Sequence, residues 1–129
     1  MIDLSNWKIL VVEDEVDAQD MIAMILRQHG TTLTIVPTAE DALEFLQQER
    51  PTVVISDLSL PSMDGWQLLK SVQSNPALSG IPVVAITAYH SIRVAQEAIA
   101  AGFVAYFPKP IGVRTFVEDL VNAVEGIQN

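Results

Sequence analysis

The chain of 129 residues contains no cysteine. That absence removes disulfides, thiolate nucleophiles, cysteine-type zinc sites and iron–sulfur clusters from consideration. Basic residues are scarce: seven Lys and Arg stand against sixteen Asp and Glu, a net charge of −9. Non-specific nucleic-acid binding draws its affinity from Lys and Arg on phosphates, so no direct nucleic-acid contact is expected. The two histidines, His29 and His90, lie too far apart in the chain to make a His-rich metal site on their own. No apolar run approaches the ~18 residues of a membrane span, so no membrane insertion is expected. Met1–Asp3 opens with an acid, not with the basic segment of a signal peptide. Repeats, low-complexity tracts and interdomain linkers are missing too. Half of the residues are apolar, and a domain of about 150 residues buries roughly 68–70% of its unfolded surface. The expectation is one soluble, acidic, cytoplasmic domain over residues 1–129, with its core at about 8–126.

Two kinds of segment alternate along the chain. Short β-branched runs occur at Ile9–Val12, Thr32–Val36, Val53–Ser56, Val83–Thr87 and Phe103–Phe107. Longer stretches with helical spacing lie between and after them. Ala18, Met21, Ile22, Ile25 and Leu26 form the first stripe, closed by Gly30. Ala39, Ala42, Leu43 and Leu46 form the second, with Thr38 as N-cap. Gly65 to about Gln73 makes the third, with Asp64 as N-cap, and Ser91–Ala101 the fourth, closed by Gly102. Val113, Phe116, Val117, Leu120, Val121 and Val124 make the fifth. Leu10–Val12, Val53–Ile55 and Val83–Ile86 are continuously apolar, which suits parallel strands covered on both faces. Five strands alternating with five helices imply right-handed βαβ units and an α/β, doubly wound sheet. Only about three residues follow the fifth helix, so no output domain is expected within this chain.

Ligands of a doubly wound sheet bind at the carboxyl ends of its strands. Glu13, Asp14 and Glu15 follow the first strand, Asp57 the third, Thr87 the fourth and Lys109 the fifth. Clustered carboxylates repel one another by ~4 kcal/mol per pair at 4 Å and an effective dielectric of 20. A hard cation, a lysine or a proton must offset that repulsion. Oxygen ligands without nearby His or Cys select Mg²⁺ or Ca²⁺, and an incomplete ligand set favours Mg²⁺. Glu15, Asp17 and Asp20 read as solvated loop or helix-start residues. Met21, Met24 and Met63 read as core or core-edge filler, and Trp66 as packing. His90 reads as a residue near the start of the fourth helix.

Four segments in order carry a resemblance: Glu13-Asp14-Glu15, Asp57-Leu-Ser-Leu-Pro61-Ser-Met-Asp64-Gly65, Ile86-Thr87-Ala88 and Tyr106-Phe-Pro-Lys109-Pro110. Each follows or ends a strand. Together they resemble the receiver domain of two-component response regulators, over about Lys8 to Gly126. The resemblance implies a (βα)5 flavodoxin-like sandwich with a five-stranded parallel sheet in the order 2-1-3-4-5. It implies that Asp57 accepts a phosphoryl group and that Glu13, Asp14, Asp57 and the backbone carbonyl of Ser59 hold Mg²⁺. Asp14 is then the direct ligand and Glu13 acts through water. Thr87 would bond the phosphoryl group, Lys109 would pair with it, Tyr106 would be the aromatic switch residue, and Lys109–Pro110 would be cis. The implied donor is a sensor histidine kinase or a histidine phosphotransfer protein. The signal would leave through the fourth helix, fifth strand and fifth helix to an unidentified downstream protein.

Such a chain is a phosphorylation switch with at most slow autodephosphorylation, not a turnover enzyme. Glu13 stands where the family often has Asp, and Ser59, Tyr89 and His90 occupy positions that vary within it. An aspartate-nucleophile phosphohydrolase would carry a second Asp two residues after the first, where this chain has Ser59. A flavodoxin-like electron carrier would need a Ser/Thr/Gly-rich phosphate loop after the first strand, where three acids stand instead. A constitutive interaction module would be indifferent to loss of Asp57.

Overall fold

A computed structural model describes residues 2–126. Five strands and five helices alternate: β1 (Lys8–Val12), α1 (Val16–Arg27), β2 (Thr32–Val36), α2 (Ala39–Leu46) and β3 (Val53–Asp57) form the first half. α3 (Gly65–Ser74), β4 (Val83–Thr87), α4 (Ile92–Ala101), β5 (Ala105–Pro108) and α5 (Phe116–Glu125) form the second. All strand pairs are parallel, in the order β2-β1-β3-β4-β5, as the alternation and the resemblance implied.

The strands sort their side chains by parity, because successive residues of a strand point to opposite faces. Ile9, Val11, Val53, Ile55, Val84 and Ile86 pack with Ile22, Ile25 and Leu26 of α1 and Phe116, Val117 and Leu120 of α5. Leu10, Val12, Val54, Val83 and Ala85 pack on the other face with Ala39 and Ala42 of α2, Leu68 and Val72 of α3 and Ala98 of α4. Both faces are therefore covered, which is why the three central strands read as unbroken apolar runs. Trp66 meets Phe103 edge to face, with ring centroids 5.6 Å apart, so it is packing.

Local chemistry places the helix ends. Thr38 Oγ1 accepts from Asp41 N at 3.0 Å, and Ser91 Oγ from Val94 N at 3.0 Å. Asp64 and Gln67 make a reciprocal capping box at the start of α3. Gly102 closes α4 with φ +119°, a conformation that side chains with a Cβ rarely adopt.

Some boundaries differ from the sequence reading. The fifth helix begins at Phe116, not Val113, and Val113 is 64% exposed in the preceding loop. The apolar stripe ran one turn past the helix because hydrophobic spacing alone does not mark an N-terminus. β5 spans Ala105–Pro108, while Phe103 is buried in the core ahead of it. Met24 points to solvent at 56% exposure and Met21 lies at the border at 36%, so neither is core; Met63 does pack against the core. α1 ends at Arg27, and Gly30 makes its left-handed turn three residues later.

Candidate functional site

Parity also assembles the site. Asp57 is the last residue of β3 and shares the parity of Val53 and Ile55. Glu13 follows β1 and keeps the parity of Ile9 and Val11, its N–H continuing the ladder to Val36 O at 3.0 Å. Lys109 follows β5 and keeps the parity of Ala105 and Phe107, its N–H bonded to Thr87 O at 2.8 Å. Three side chains distant in sequence thus rise on one side of the sheet edge.

They meet there. Lys109 Nζ donates to Asp57 Oδ2 at 2.8 Å and to Glu13 Oε1 at 2.7 Å. Glu13 is wholly buried and Asp57 nearly so, and each keeps a further donor: Glu15 N to Glu13 Oε2 at 3.3 Å, Ser59 N to Asp57 Oδ1 at 2.9 Å. Among the described residues, no buried side-chain polar atom lacks a partner. Carboxylate oxygens of Glu13, Asp14 and Asp57 lie within 4.8 Å of one another, with Asp14 on the exposed side. At that spacing each like-charge pair repels by on the order of 3 kcal/mol at an effective dielectric of 20. One ammonium against three carboxylates leaves the cluster acidic. An oxygen-only, net-negative donor set of this kind fits a hard divalent cation, above all Mg²⁺.

Protonation answers the same imbalance. Burial pushes the Glu13 carboxyl up from its ordinary 4.5 to about 7; the Lys109 hydrogen bond opposes this, and the neighbouring Asp57 adds to it. Burial works against the Lys109 ammonium, but its hydrogen bonds and charge contacts with Asp57 and Glu13 outweigh that and hold its pKa above the ordinary 10.5.

Thr87 and Tyr106 have the other parity, that of Val83 and Ala85, on the face covered by α4. Thr87 is buried, and its Oγ1 accepts from Tyr89 N at 3.0 Å. Tyr106 is half-buried against the core, and its hydroxyl is hydrogen-bonded to His90 Nδ1 at 2.9 Å, with the rings 5.5 Å apart. On α4 itself Ile92 and Ile99 are exposed at 76% and 53%, while Val94 packs inward and Ala98 is buried.

The loop after Asp57 is built for close approach. Gly65 N donates to Leu58 O at 3.0 Å, and a Cβ on Gly65 would overlap the Asp57 carbonyl oxygen and lie 2.9 Å from Leu58 Cα. Only glycine lets α3 start this near the site. The Lys109–Pro110 bond is cis, as the resemblance implied.

Three contacts were not foreseen. The Lys109–Glu13 ion pair was missed because Glu13 was placed beside the metal alone. The His90–Tyr106 bond joins two residues whose spacing carries no signal. Gln19 Nε2 donates to the Glu13 carbonyl at 2.6 Å, reaching back six residues out of α1, and nothing in the composition or periodicity marks it.

Comparison with known proteins agrees with this geometry. The sequence profile of the response regulator receiver domain matches residues 9–121. The chain is 36% identical over 108 residues to an uncharacterized 14.6 kDa protein of the sodA1 3′ region in Leptolyngbya boryana, covering 84% of this chain and 82% of that one. It is 34% identical over 111 residues to the response regulator protein FleR of Pseudomonas aeruginosa, covering 86% of this chain but only 23% of FleR. The fold superposes with TM-score 0.82 on the receiver domain of sensor histidine kinase PA1611 from P. aeruginosa, at 25% identity, covering 92% of this chain and 98% of that one. In that structure a magnesium ion is coordinated in the active site cleft.

Proposed function

The chain belongs to the response regulator receiver family, the phosphorylation switches of two-component systems, and from that premise we propose that Asp57 is its phosphoacceptor. One observation carries the reading: the buried Asp57 carboxylate, bonded to Lys109 Nζ at 2.8 Å, stands within 4.8 Å of two further carboxylates. An Asp57 oxygen attacks phosphorus, the bond from phosphorus to the donor's imidazole nitrogen breaks, and the imidazole leaves with that electron pair and takes up a proton. Like-charge repulsion between carboxylate and phosphoryl group is the main barrier, so catalysis is positioning and charge neutralisation. Lys109 turns from the Asp57 oxygen to a phosphoryl oxygen. The Ser59 N–H holds the other Asp57 oxygen in place. Glu13, Asp14, Asp57 and the Ser59 carbonyl would hold Mg²⁺, which supplies positive charge on the phosphoryl oxygens.

The product is an acyl phosphate beside Thr87. Thr87 donates its hydroxyl proton to that group while its oxygen still accepts from the Tyr89 N–H, so a shift of Thr87 toward the phosphoryl group draws the 88–90 loop with it. His90 travels on that loop and is bonded to Tyr106, so the same motion reaches Tyr106 and the face of α4, β5 and α5. The exposed Ile92 and Ile99 supply apolar contact there for a downstream protein. The donor is a sensor histidine kinase or histidine phosphotransfer protein, and the whole of residues 1–129 acts as one cytoplasmic receiver unit. Among the described residues no helix is long and apolar enough to cross a membrane.

The test is mass spectrometry after incubation with acetyl phosphate and Mg²⁺. Wild type gains the mass of one phosphoryl group and Asp57→Asn gains none. Equal labelling of the two proteins would refute the assignment of Asp57.

A further inference from the structure

Gln19 has no role in the reading above. It lies in the first turn of α1, where its N–H donates to Glu15 O at 3.0 Å. Its side chain turns back, and Nε2 donates to the Glu13 carbonyl oxygen at 2.6 Å. That carbonyl and the Asp14 N–H belong to one planar peptide. Holding the oxygen therefore fixes the plane from which Asp14 departs.

The need for such a tie follows from charge. Glu13 is buried and held by Lys109, by the Glu15 N–H and by its own N–H on Val36. Asp14 is exposed, and among the described residues no hydrogen bond holds its carboxylate. Repulsion from Glu13 and Asp57, within 4.8 Å, drives it outward into water. We infer that Gln19 is a positioning residue for the cation loop: its amide clamps the Glu13 carbonyl and keeps Asp14 where a divalent cation meets a preformed set of oxygens. This rests on the proposed Mg²⁺ role of Glu13, Asp14 and Asp57. A neutral donor suits the task. It anchors the peptide without adding a fourth negative charge, and without a positive one to compete with the cation.

A tie that merely pinned α1 to the sheet would alter stability and leave cation affinity alone. The discriminating measurement is calorimetric titration of the metal-free protein with Mg²⁺, for wild type, Gln19→Met and Gln19→Ala. Both variants are expected to bind Mg²⁺ about fivefold more weakly, the factor equivalent to one net hydrogen bond of ~1 kcal/mol. In Gln19→Met the amides of Asp14 and Glu15 should also exchange faster with deuterium while those of β3 do not. Wild-type affinity in both variants would overturn the inference, whatever their melting temperatures. Absence of Mg²⁺ binding by wild type would instead overturn the reading of the site, and this inference with it.

Discussion

The two sides of the sheet edge are built differently. On the side of α1 and α5, Glu13, Asp57 and Lys109 are buried or nearly so, and each is hydrogen-bonded to another member of the trio. On the side of α4, Thr87 and Tyr106 each make one side-chain hydrogen bond among the described residues, to the 88–90 loop, and their surroundings expose Tyr89, Ile92 and Ile99. The proposed phosphoryl transfer would need the first arrangement, because charge must be placed before the phosphoryl group arrives. The proposed signalling face would need the second, because a surface changes cheaply only where few contacts have to break. The β4–β5 pairing, Thr87 beside Pro108, keeps the two sides within one residue of each other.

Lys109→Ala tests the contrast most severely. Removing one partner of a buried ion pair costs about 3–5 kcal/mol when charge is left uncompensated. Urea unfolding should show a loss of that order, and a far smaller one for Tyr106→Phe, whose only missing atom is bonded to the exposed His90. Equal losses would erase the distinction between the sides.

The pH dependence sharpens the same point. In metal-free protein the Glu13 carboxyl titrates at about 7 when folded and near 4.5 when unfolded. The folded state then binds the proton more tightly, so this group's contribution to stability is full below about 4.5 and is lost as pH rises through 7. The difference in stability between wild type and Glu13→Gln should change across that interval and flatten outside it. A constant difference from pH 4 to pH 8 would contradict the raised pKa.

Cation binding comes next in size. A ligand of the native state stabilises it by ~2.7 kcal/mol at a hundredfold excess over Kd. Mg²⁺ should raise the melting temperature of wild type and leave that of Asp14→Ala unchanged. Identical responses would remove Asp14 from the cation site.

The proposed coupling between the sides is expected to be smaller, ~1–3 kcal/mol for a two-state switch. Amide NMR with beryllofluoride should shift resonances from Thr87 through Val113 as well as those around Asp57. Shifts confined to the neighbourhood of Asp14 and Asp57 would mean that the site does not reach the α4 face. The smallest effect is expected from His90→Phe, which keeps a ring beside Tyr106 but removes the hydrogen bond. Global stability should fall by no more than ~1 kcal/mol. The Tyr106 ring resonances should nonetheless move toward their beryllofluoride positions before any is added. Unmoved resonances would show that His90 does not restrain Tyr106.

Much of this was legible in the residues. Apolar runs such as Val83–Ile86 require covered strands, Thr38 and Asp64 announce helix starts, and acids or a lysine just past a strand belong to its carboxyl end. Parity could have been carried further: Glu13 and Asp57 continue the pattern of the Ile and Val residues on the α1–α5 side, and Lys109 that of Ala105 and Phe107. The helix stripe misled at Val113 and Met24, because spacing reports which residues share a face but not whether the backbone is helical or the face is covered.

By itself, then, the order of residues determined the strand and helix alternation, the chemistry gathered at the strand ends and the family to which the chain belongs. These depend on periodicity, capping and residue type, all local properties. Only the folded chain decided that Lys109 bonds Glu13 as well as Asp57, that Gln19 holds the loop before Asp14, and that His90 holds Tyr106. Such contacts join residues up to 96 positions apart. They are set by distances between loops that no local pattern encodes, because β1, β3 and β5 reach one edge only when the sheet has closed in its own order.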